Sequence, residues 1–161
     1  MAFRCAVDTN VLLRLSERNH PQFNLISTAM RRLVMQGAEF CFAPQNLGEF
    51  WNASTRPPQQ NGFGRSVEET RQLLDSIQRG MTLLAETERV CTVWQRLLVT
   101  CEVRGVQVHD AHLAAVLEVH GVTRLLTFNG ADFKRFPGLT AIHPRDVQEQ
   151  SFRFEIEKKG I

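Results

Sequence analysis

The stretch Phe3-Arg4-Cys5-Ala6-Val7-Asp8-Thr9-Asn10 begins with a short, mostly apolar run and ends in three polar residues. An apolar run of this length that stops at a polar turn predicts a buried strand over residues 3–7. Polar side chains directly after such a strand lie at its carboxyl end, where open α/β sheets bind their ligands. Asp8 is therefore the first candidate for a functional site.

Four more short apolar segments predict strands, and helical patterns separate them. These strands are predicted over residues 39–43, 82–84, 124–128 and 140–142. Between them, apolar residues recur with the helical period, Pro44 suits a first helical turn, and Ser66 with Glu69 forms a capping box. This alternation predicts an α/β fold with three layers, α/β/α, around a central, mostly parallel sheet of about five short strands.

The composition is that of an ordinary globular chain: 161 residues, 43% hydrophobic and 22% charged, with a net charge of +2. This length predicts one domain, which we place over residues 1–145, before a charged tail over residues 146–161. The net charge is too small to indicate nucleic-acid or membrane binding by itself. The four cysteines lack CxxC spacing, so we expect free thiols in a cytoplasmic protein. No stretch is long and apolar enough to predict a membrane span.

Four acids occupy positions that differ from those of the other acidic residues. Asp8 follows the first predicted strand, Glu49 lies within an otherwise apolar helix, Asp110 starts an Ala-rich helix, and Asp132 follows the fourth strand. Oxygen ligands that converge from separate elements suit a hard divalent cation such as Mg²⁺. Each acid alone also has a structural explanation, such as a turn at Asp8 or a helix cap at Asp110. The prediction of a metal site therefore depends on the four acids taken together.

Other catalytic motifs are weaker. His109-Asp110 is the pair found at the centre of His–Asp phosphohydrolases, but the further histidine ligands that such sites need have no counterpart in the sequence. His109 and His112 are too few for a zinc site without a third ligand. The sequence contains neither a Gly-x-Ser-x-Gly motif nor a P-loop, so a side-chain nucleophile is not indicated.

In order and spacing, four segments resemble the PIN-domain ribonucleases, which include the VapC-like toxins. The resemblance covers roughly residues 2–143. The matching segments are Ala6-Val7-Asp8-Thr9-Asn10-Val11-Leu12-Leu13, Glu49-Phe50, His109-Asp110-Ala111 through Ala115, and Thr127-x-Asn129-x-x-Asp132-Phe133. The loop over residues 55–64 also resembles one bacterial branch of the family.

The resemblance implies endonucleolytic cleavage of RNA by one or two Mg²⁺ or Mn²⁺ ions. It implies that the metal ligands are Asp8, Glu49, Asp110 and Asp132, and that Asn10, Thr127 and Asn129 are supporting polar groups. Whether Asn129 or Asp132 reaches the metal stays open. The resemblance also implies an antitoxin protein as partner, and a homodimer.

Four residues are candidates for RNA contact near the mouth of the pocket: Arg14, Arg56, Phe63 and Arg65. The arginines could equally be solvated surface, and Phe63 could pack under the loop. The alternative function is a PIN fold that binds RNA or acts as a scaffold with little catalytic activity. The presence of all four acids counts against this alternative.

Overall fold

The fold is taken from a computed structural model and is described over residues 1–147. Within these residues the sheet has five strands, in the order β3-β2-β1-β4-β5, with every neighbouring pair parallel. They are β1 (Phe3–Val7), β2 (Ala38–Phe42), β3 (Thr82–Leu83), β4 (Arg124–Leu126) and β5 (Thr140–Ile142). The predicted α/β fold with a five-stranded parallel sheet is confirmed. Residues 148–161 of the predicted tail lie outside the described residues.

Helices cover both faces of the sheet, as the buried residues of β1 indicate. Ala6 packs in one apolar cluster with residues of the fifth and sixth helices, whereas Cys5 and Val7 pack in another with residues of the first three. A strand buried on both faces is typical of a parallel sheet between two helical layers. The helices are α1 (Thr9–Leu15), α2 (Phe23–Met35), α3 (Pro44–Thr55), α4 (Val67–Gly80), α5 (Glu88–Thr100), α6 (Gln107–Val119) and α7 (Gly130–Phe133).

Helix α1 begins directly after β1, where the sequence predicted only a polar turn. Asp8 is its N-cap, and the Asp8 side chain accepts a hydrogen bond from the Thr9 backbone N–H at 2.7 Å. A helix of seven residues is not stable through intrinsic propensity, so burial of Val11 and Leu12 must supply its stability. Asp8 is therefore held in place by a strand on one side and a helix on the other.

Strand β4 is shorter than predicted because the chain turns out of the sheet toward the end of β1. The Thr127 backbone N–H still donates to the Ile142 carbonyl, at 3.0 Å, but the Phe128 N–H donates to the Asn10 side chain, at 3.2 Å. At the far end, Val147 is buried in the core and its carbonyl accepts a hydrogen bond from Arg32. Over residues 1–147, no helix is both long and apolar enough to span a lipid bilayer.

Candidate active site

The candidate site lies at the point in the sheet where the strands that follow β1 are placed on opposite sides of it. β1 is the central strand, with β2 on one side and β4 on the other, and the carboxyl ends of β1 and β4 meet at a cleft of about 320 Å³. Such a switch point is where doubly wound sheets bind ligands. The residues that line the cleft are Asp8, Thr9, Asn10, Leu13, Glu49, Asn52, Ala53, Arg56, Asp110, Asn129 and Phe133.

Asp8 is buried and its carboxylate accepts three hydrogen bonds. One oxygen accepts from the Thr9 N–H, and the other accepts from Asn10 Nδ2 at 2.9 Å and from Thr127 Oγ1 at 2.7 Å. Burial raises the pKa of Asp8, with a further contribution from the Glu49 carboxylate, although the three hydrogen bonds favour the ionised form. Asn10 and Thr127, the predicted supporting groups, thus both contact Asp8 directly.

Glu49 lies on α3 and its two carboxylate oxygens have different partners. Oε2 accepts a hydrogen bond from Thr9 Oγ1 at 2.6 Å, and Oε1 accepts one from Gln45 Nε2 at 2.7 Å. Thr9 Oγ1 in turn accepts from Asn46 Nδ2 at 3.1 Å, so the buried Thr9 and Asn46 connect Glu49 to the end of β1. These contacts orient the carboxylate toward the cleft.

Asp110 lies in the first turn of α6 and differs from Asp8 because no hydrogen bond from residues 1–147 reaches its carboxylate. The pKa of Asp110 is raised from its ordinary value of 3.8 to about 6: desolvation by burial contributes most, the charges of Asp132, Asp8 and Glu49 add to it in that order, and His109 acts in the opposite direction. The cleft therefore holds negative charge that the surrounding residues do not balance, which is an environment that favours a cation.

Asp132 and Asn129 occupy different places beside the cleft. Asp132 lies in α7, is exposed and does not line the cleft. Among the neighbouring charges that raise the pKa of Asp110, that of Asp132 nevertheless has the largest effect. Asn129, the residue before α7, does line the cleft, and its backbone N–H donates to Thr127 Oγ1 at 3.0 Å.

The donor set suits a hard divalent cation. In the described part of the chain, no three Asp, Glu, His or Cys side chains converge closely enough to hold a metal ion by themselves. Mg²⁺ commonly uses one or two carboxylates and keeps several water molecules. Oxygen donors around an open, negatively charged cleft fit that mode of binding.

Of the four residues predicted to contact RNA, only Arg56 lines the cleft. Arg56 donates from Nη2 to the Asn61 carbonyl at 3.1 Å, and its buried Nε has no hydrogen-bond partner within residues 1–147. Arg65 stacks on the Phe63 ring at 4.4 Å and donates to Ser54, so these two partly exposed residues pack against each other. Arg14 lies over the Phe128 ring at 4.2 Å and donates to the Asn10 carbonyl.

Sequence reasoning missed four residues that support the acids: Thr9, Gln45, Asn46 and His112. Gln45 precedes Glu49 by four residues, the spacing of neighbouring side chains on one helix face, so its contact was open to prediction. The roles of Thr9 and Asn46 depend on contacts between distant segments, and no local pattern signals them. The sequence gives no signal for a role of His112 either.

Comparisons with known proteins agree with this geometry. The family model described as PIN domain matches residues 5–139. No curated protein sequence matches the chain. Among solved structures, VapBC2 from Rickettsia felis bound to a promoter DNA fragment is 17% identical, with a TM-score of 0.67, and the match covers 87% of this chain and 98% of that one.

Two further structures share the fold. A toxin–antitoxin complex from Klebsiella pneumoniae is 19% identical with a TM-score of 0.58, and the match covers 87% of this chain and 97% of the other. The sarcin-ricin loop cleaving toxin VapC20 of Mycobacterium tuberculosis is 16% identical with a TM-score of 0.57, covering 80% and 92%. At these identities the likeness is one of fold. Because the family model matches residues 5–139, which is most of the chain, the chain belongs to the PIN-domain family.

Proposed function

We propose that this chain is a metal-dependent endoribonuclease that hydrolyses RNA phosphodiester bonds, and that it is the toxin of a toxin–antitoxin pair in the cytoplasm. The observation that carries the catalytic part is geometric: Asp8, Glu49 and Asp110 line one cleft at the carboxyl end of the sheet. Burial, and then the charges of Asp132, Asp8 and Glu49, raise the pKa of Asp110 to about 6. Such a concentration of charge at a ligand-binding position of the fold is typical of a functional site.

In this proposal the cation is Mg²⁺ or Mn²⁺, held by Asp8, Glu49 and Asp110, with Asp132 contributing from α7. When bound, the cation supplies positive charge that offsets the charge of the phosphodiester and makes a water molecule more acidic. Asn10, Thr127 and Asn129 act in support, because the first two donate hydrogen bonds to Asp8 and the third borders the cleft.

The chain's own side chains bring RNA into this negatively charged cleft. Arg56 is the positively charged side chain among the residues that line the cleft, so we assign it a contact with a phosphate of the RNA backbone. Arg14, Phe63 and Arg65 have partners within the chain, and we assign them a secondary contact with RNA. They would act at the outer surface, where single-stranded RNA can stack on an aromatic or arginine group.

The activity is tested with purified protein and RNA in the presence of Mg²⁺, Mn²⁺ or EDTA. Wild-type protein should cleave RNA with either metal and not with EDTA, and Asp110→Asn should lose most of the activity. Asp75→Asn is the matched control, because Asp75 is a half-exposed acid on α4 that pairs with Arg71. Cleavage that persists in EDTA or in Asp110→Asn contradicts the mechanism. RNA binding without cleavage favours the alternative, an RNA-binding or scaffolding module.

The proposed partner is an antitoxin, by likeness to the solved toxin–antitoxin complexes. Expression of the chain alone should arrest growth. If a small protein is encoded beside its gene, co-expression with that protein should relieve the arrest. Asp110→Asn is the control, since it should not arrest growth. Light scattering of the purified protein tests the proposed homodimer. Growth arrest by Asp110→Asn that equals wild type contradicts the toxin role.

A further inference from the structure

Glu49 is connected to the outer surface of the protein by a chain of three side chains, Gln45, His112 and Glu86, which we term the Gln45 brace. Gln45 donates from Nε2 to Glu49 Oε1 at 2.7 Å and to the His109 carbonyl at 3.1 Å. Its Oε1 lies 2.6 Å from His112 Nδ1, and His112 Nε2 lies 2.9 Å from Glu86 Oε1. The brace therefore joins α3, α6 and the segment between β3 and α5.

The orientation of the Gln45 amide follows from the partners of its nitrogen. Both contacts of Gln45 Nε2 are to acceptors, a carboxylate and a carbonyl, so the amide nitrogen must face them. Its oxygen then faces His112 Nδ1, and the two form a hydrogen bond when Nδ1 carries the ring proton. Reversal of the amide would place its oxygen against the Glu49 carboxylate and the His109 carbonyl, so these two acceptors select the orientation in which Gln45 donates to Glu49.

The His112 ring is itself held in place. Its side chain is 18% exposed, and the Trp94 ring of α5 meets it edge-on at 4.7 Å. Trp94 in turn donates from Nε1 to the Val108 carbonyl at 3.1 Å, which fixes the indole against the start of α6. The middle of the Gln45 brace is thus packed, and Glu86 alone lies at the surface.

Gln45 also sets the relation between two of the acids. It reaches the Glu49 carboxylate on its own helix and the carbonyl of His109, the residue directly before Asp110 on α6. One side chain therefore contacts the helices that carry both acids. No member of the Gln45 brace lines the cleft, so none is placed to contact RNA.

We propose that the Gln45 brace positions the Glu49 carboxylate relative to Asp110, with His112 as the positioning residue that fixes Gln45. This inference rests on the proposed function, because it concerns how Glu49 is presented to a divalent cation. The other contact of Glu49, from Thr9, holds only one of its two oxygens. Partners that orient a ligand in this way typically contribute about 10-fold or more to metal affinity or activity.

The test compares His112 of α6 with His120, the residue that follows that helix. His112→Leu removes the bonds to Gln45 and Glu86 and keeps apolar volume against Trp94. His112→Asn keeps a donor near the position of Nδ1. His120→Leu is the matched control, because His120 bonds to the Ala85 carbonyl in the same segment between β3 and α5 and is not connected to Glu49. Mn²⁺ binding is measured by calorimetry without RNA, and kcat and KM are measured with RNA.

We expect His112→Leu to bind Mn²⁺ about 10-fold more weakly and to lose a similar factor in kcat with little change in KM. His112→Asn should recover most of both losses, and His120→Leu should match wild type. A merely structural role would lower the melting temperature without this recovery of metal binding. Equal Mn²⁺ binding by His112→Leu and His120→Leu overturns the inference and leaves the proposed function standing.

Two further results are distinguishable. If wild-type protein binds no Mn²⁺, the proposed function is wrong and the inference is wrong with it. If His112→Leu does not fold, Glu86→Ala replaces it, because Glu86 is about half exposed and its loss frees one side of the His112 ring. Unchanged Mn²⁺ binding and kcat in Glu86→Ala would then overturn the inference.

Discussion

Gly62 lies in the loop beside the cleft, and its replacement by alanine should disturb the structure of that loop. A Cβ atom added there would lie 1.9 Å from the Arg56 carbonyl oxygen, 2.4 Å from its carbonyl carbon and 2.6 Å from its Cβ. Two of these are backbone atoms, which cannot rotate away. The same carbonyl accepts a hydrogen bond from the Gly64 N–H at 2.9 Å, and the Gly62 N–H donates to the Pro57 carbonyl at 3.1 Å.

Gly62→Ala must therefore break loop hydrogen bonds or displace Arg56. Overpacking of this kind costs about 1–3 kcal/mol. A value of about 2 kcal/mol corresponds to a fall in melting temperature of about 4–8 °C for a chain of this length. Because Arg56 lines the cleft, we also expect a higher KM for RNA. Thermal melts and RNA cleavage kinetics on the same preparations measure both effects.

Gly48→Ala provides the control. Gly48 lies in α3, one residue before Glu49, and a Cβ atom there would have nothing within 4 Å. Alanine in place of glycine inside a helix stabilises by about 0.5–1 kcal/mol, so this variant should melt about 1–4 °C higher with unchanged KM. A Gly62→Ala protein that melts like wild type would show that the loop relaxes freely and that the reasoning from close contact is wrong.

Three other predictions concern charge and capping. In EDTA, Asp110→Asn should melt higher than wild type near pH 7.5, because an acid whose folded pKa is raised destabilises the fold once pH exceeds its unfolded value. The difference in melting temperature should shrink as pH falls through about 6 toward 3.8. Thermal melts across this pH range test the prediction, and an Asp110→Asn protein that is less stable than wild type at neutral pH would contradict it. Arg56→Ala should raise KM for RNA and reduce its salt dependence, with Arg56→Lys intermediate; equal salt dependence in all three proteins would exclude a phosphate contact. Ser66→Ala removes the capping box of α4 and should cost about 0.5–2 kcal/mol by chemical denaturation; RNA cleavage at the wild-type rate should accompany that loss.

The fold was largely open to prediction because the strands are short and apolar and alternate with helices. The predicted bounds of the fifth strand match β5, and those of the second differ from β2 by one residue at each end. The prediction failed at α1, whose seven residues are stable only through burial. It also failed at the end of β4, where the Phe128 N–H pairs with the Asn10 side chain rather than with the sheet.

The candidate site was predictable as a set of acids but not as a network. Asp8, Glu49 and Asp110 line one cleft, whereas Asp132 lies beside it. Asp8 and Asp110 were candidates because they lie at element ends, and Glu49 was one because it lies within an otherwise apolar helix. Phe63 and Arg65 instead pack against each other, because a cation and an aromatic ring two residues apart on a folded loop satisfy one another. Contacts such as Asn46 with Thr9 join residues that are far apart in the chain, and the fold alone creates them.

The three hydrogen bonds at Asp8 determine how an inactive form of this protein is best made. Asparagine at this position would present its amide NH₂ either to Asn10 Nδ2 and the Thr127 hydroxyl or, with the amide reversed, to the Thr9 N–H, and all three groups now donate to the carboxylate. A buried donor facing donors costs about 1–3 kcal/mol, and this loss opposes the relief of a buried charge. Loss of activity in Asp8→Asn would then mix a folding defect with a chemical one. No residue among 1–147 donates a hydrogen bond to the Asp110 carboxylate, so its substitution changes charge with little change in local structure. An inert variant for crystallisation with RNA, or for safe overproduction of the protein, should therefore carry asparagine at residue 110 and keep aspartate at residue 8.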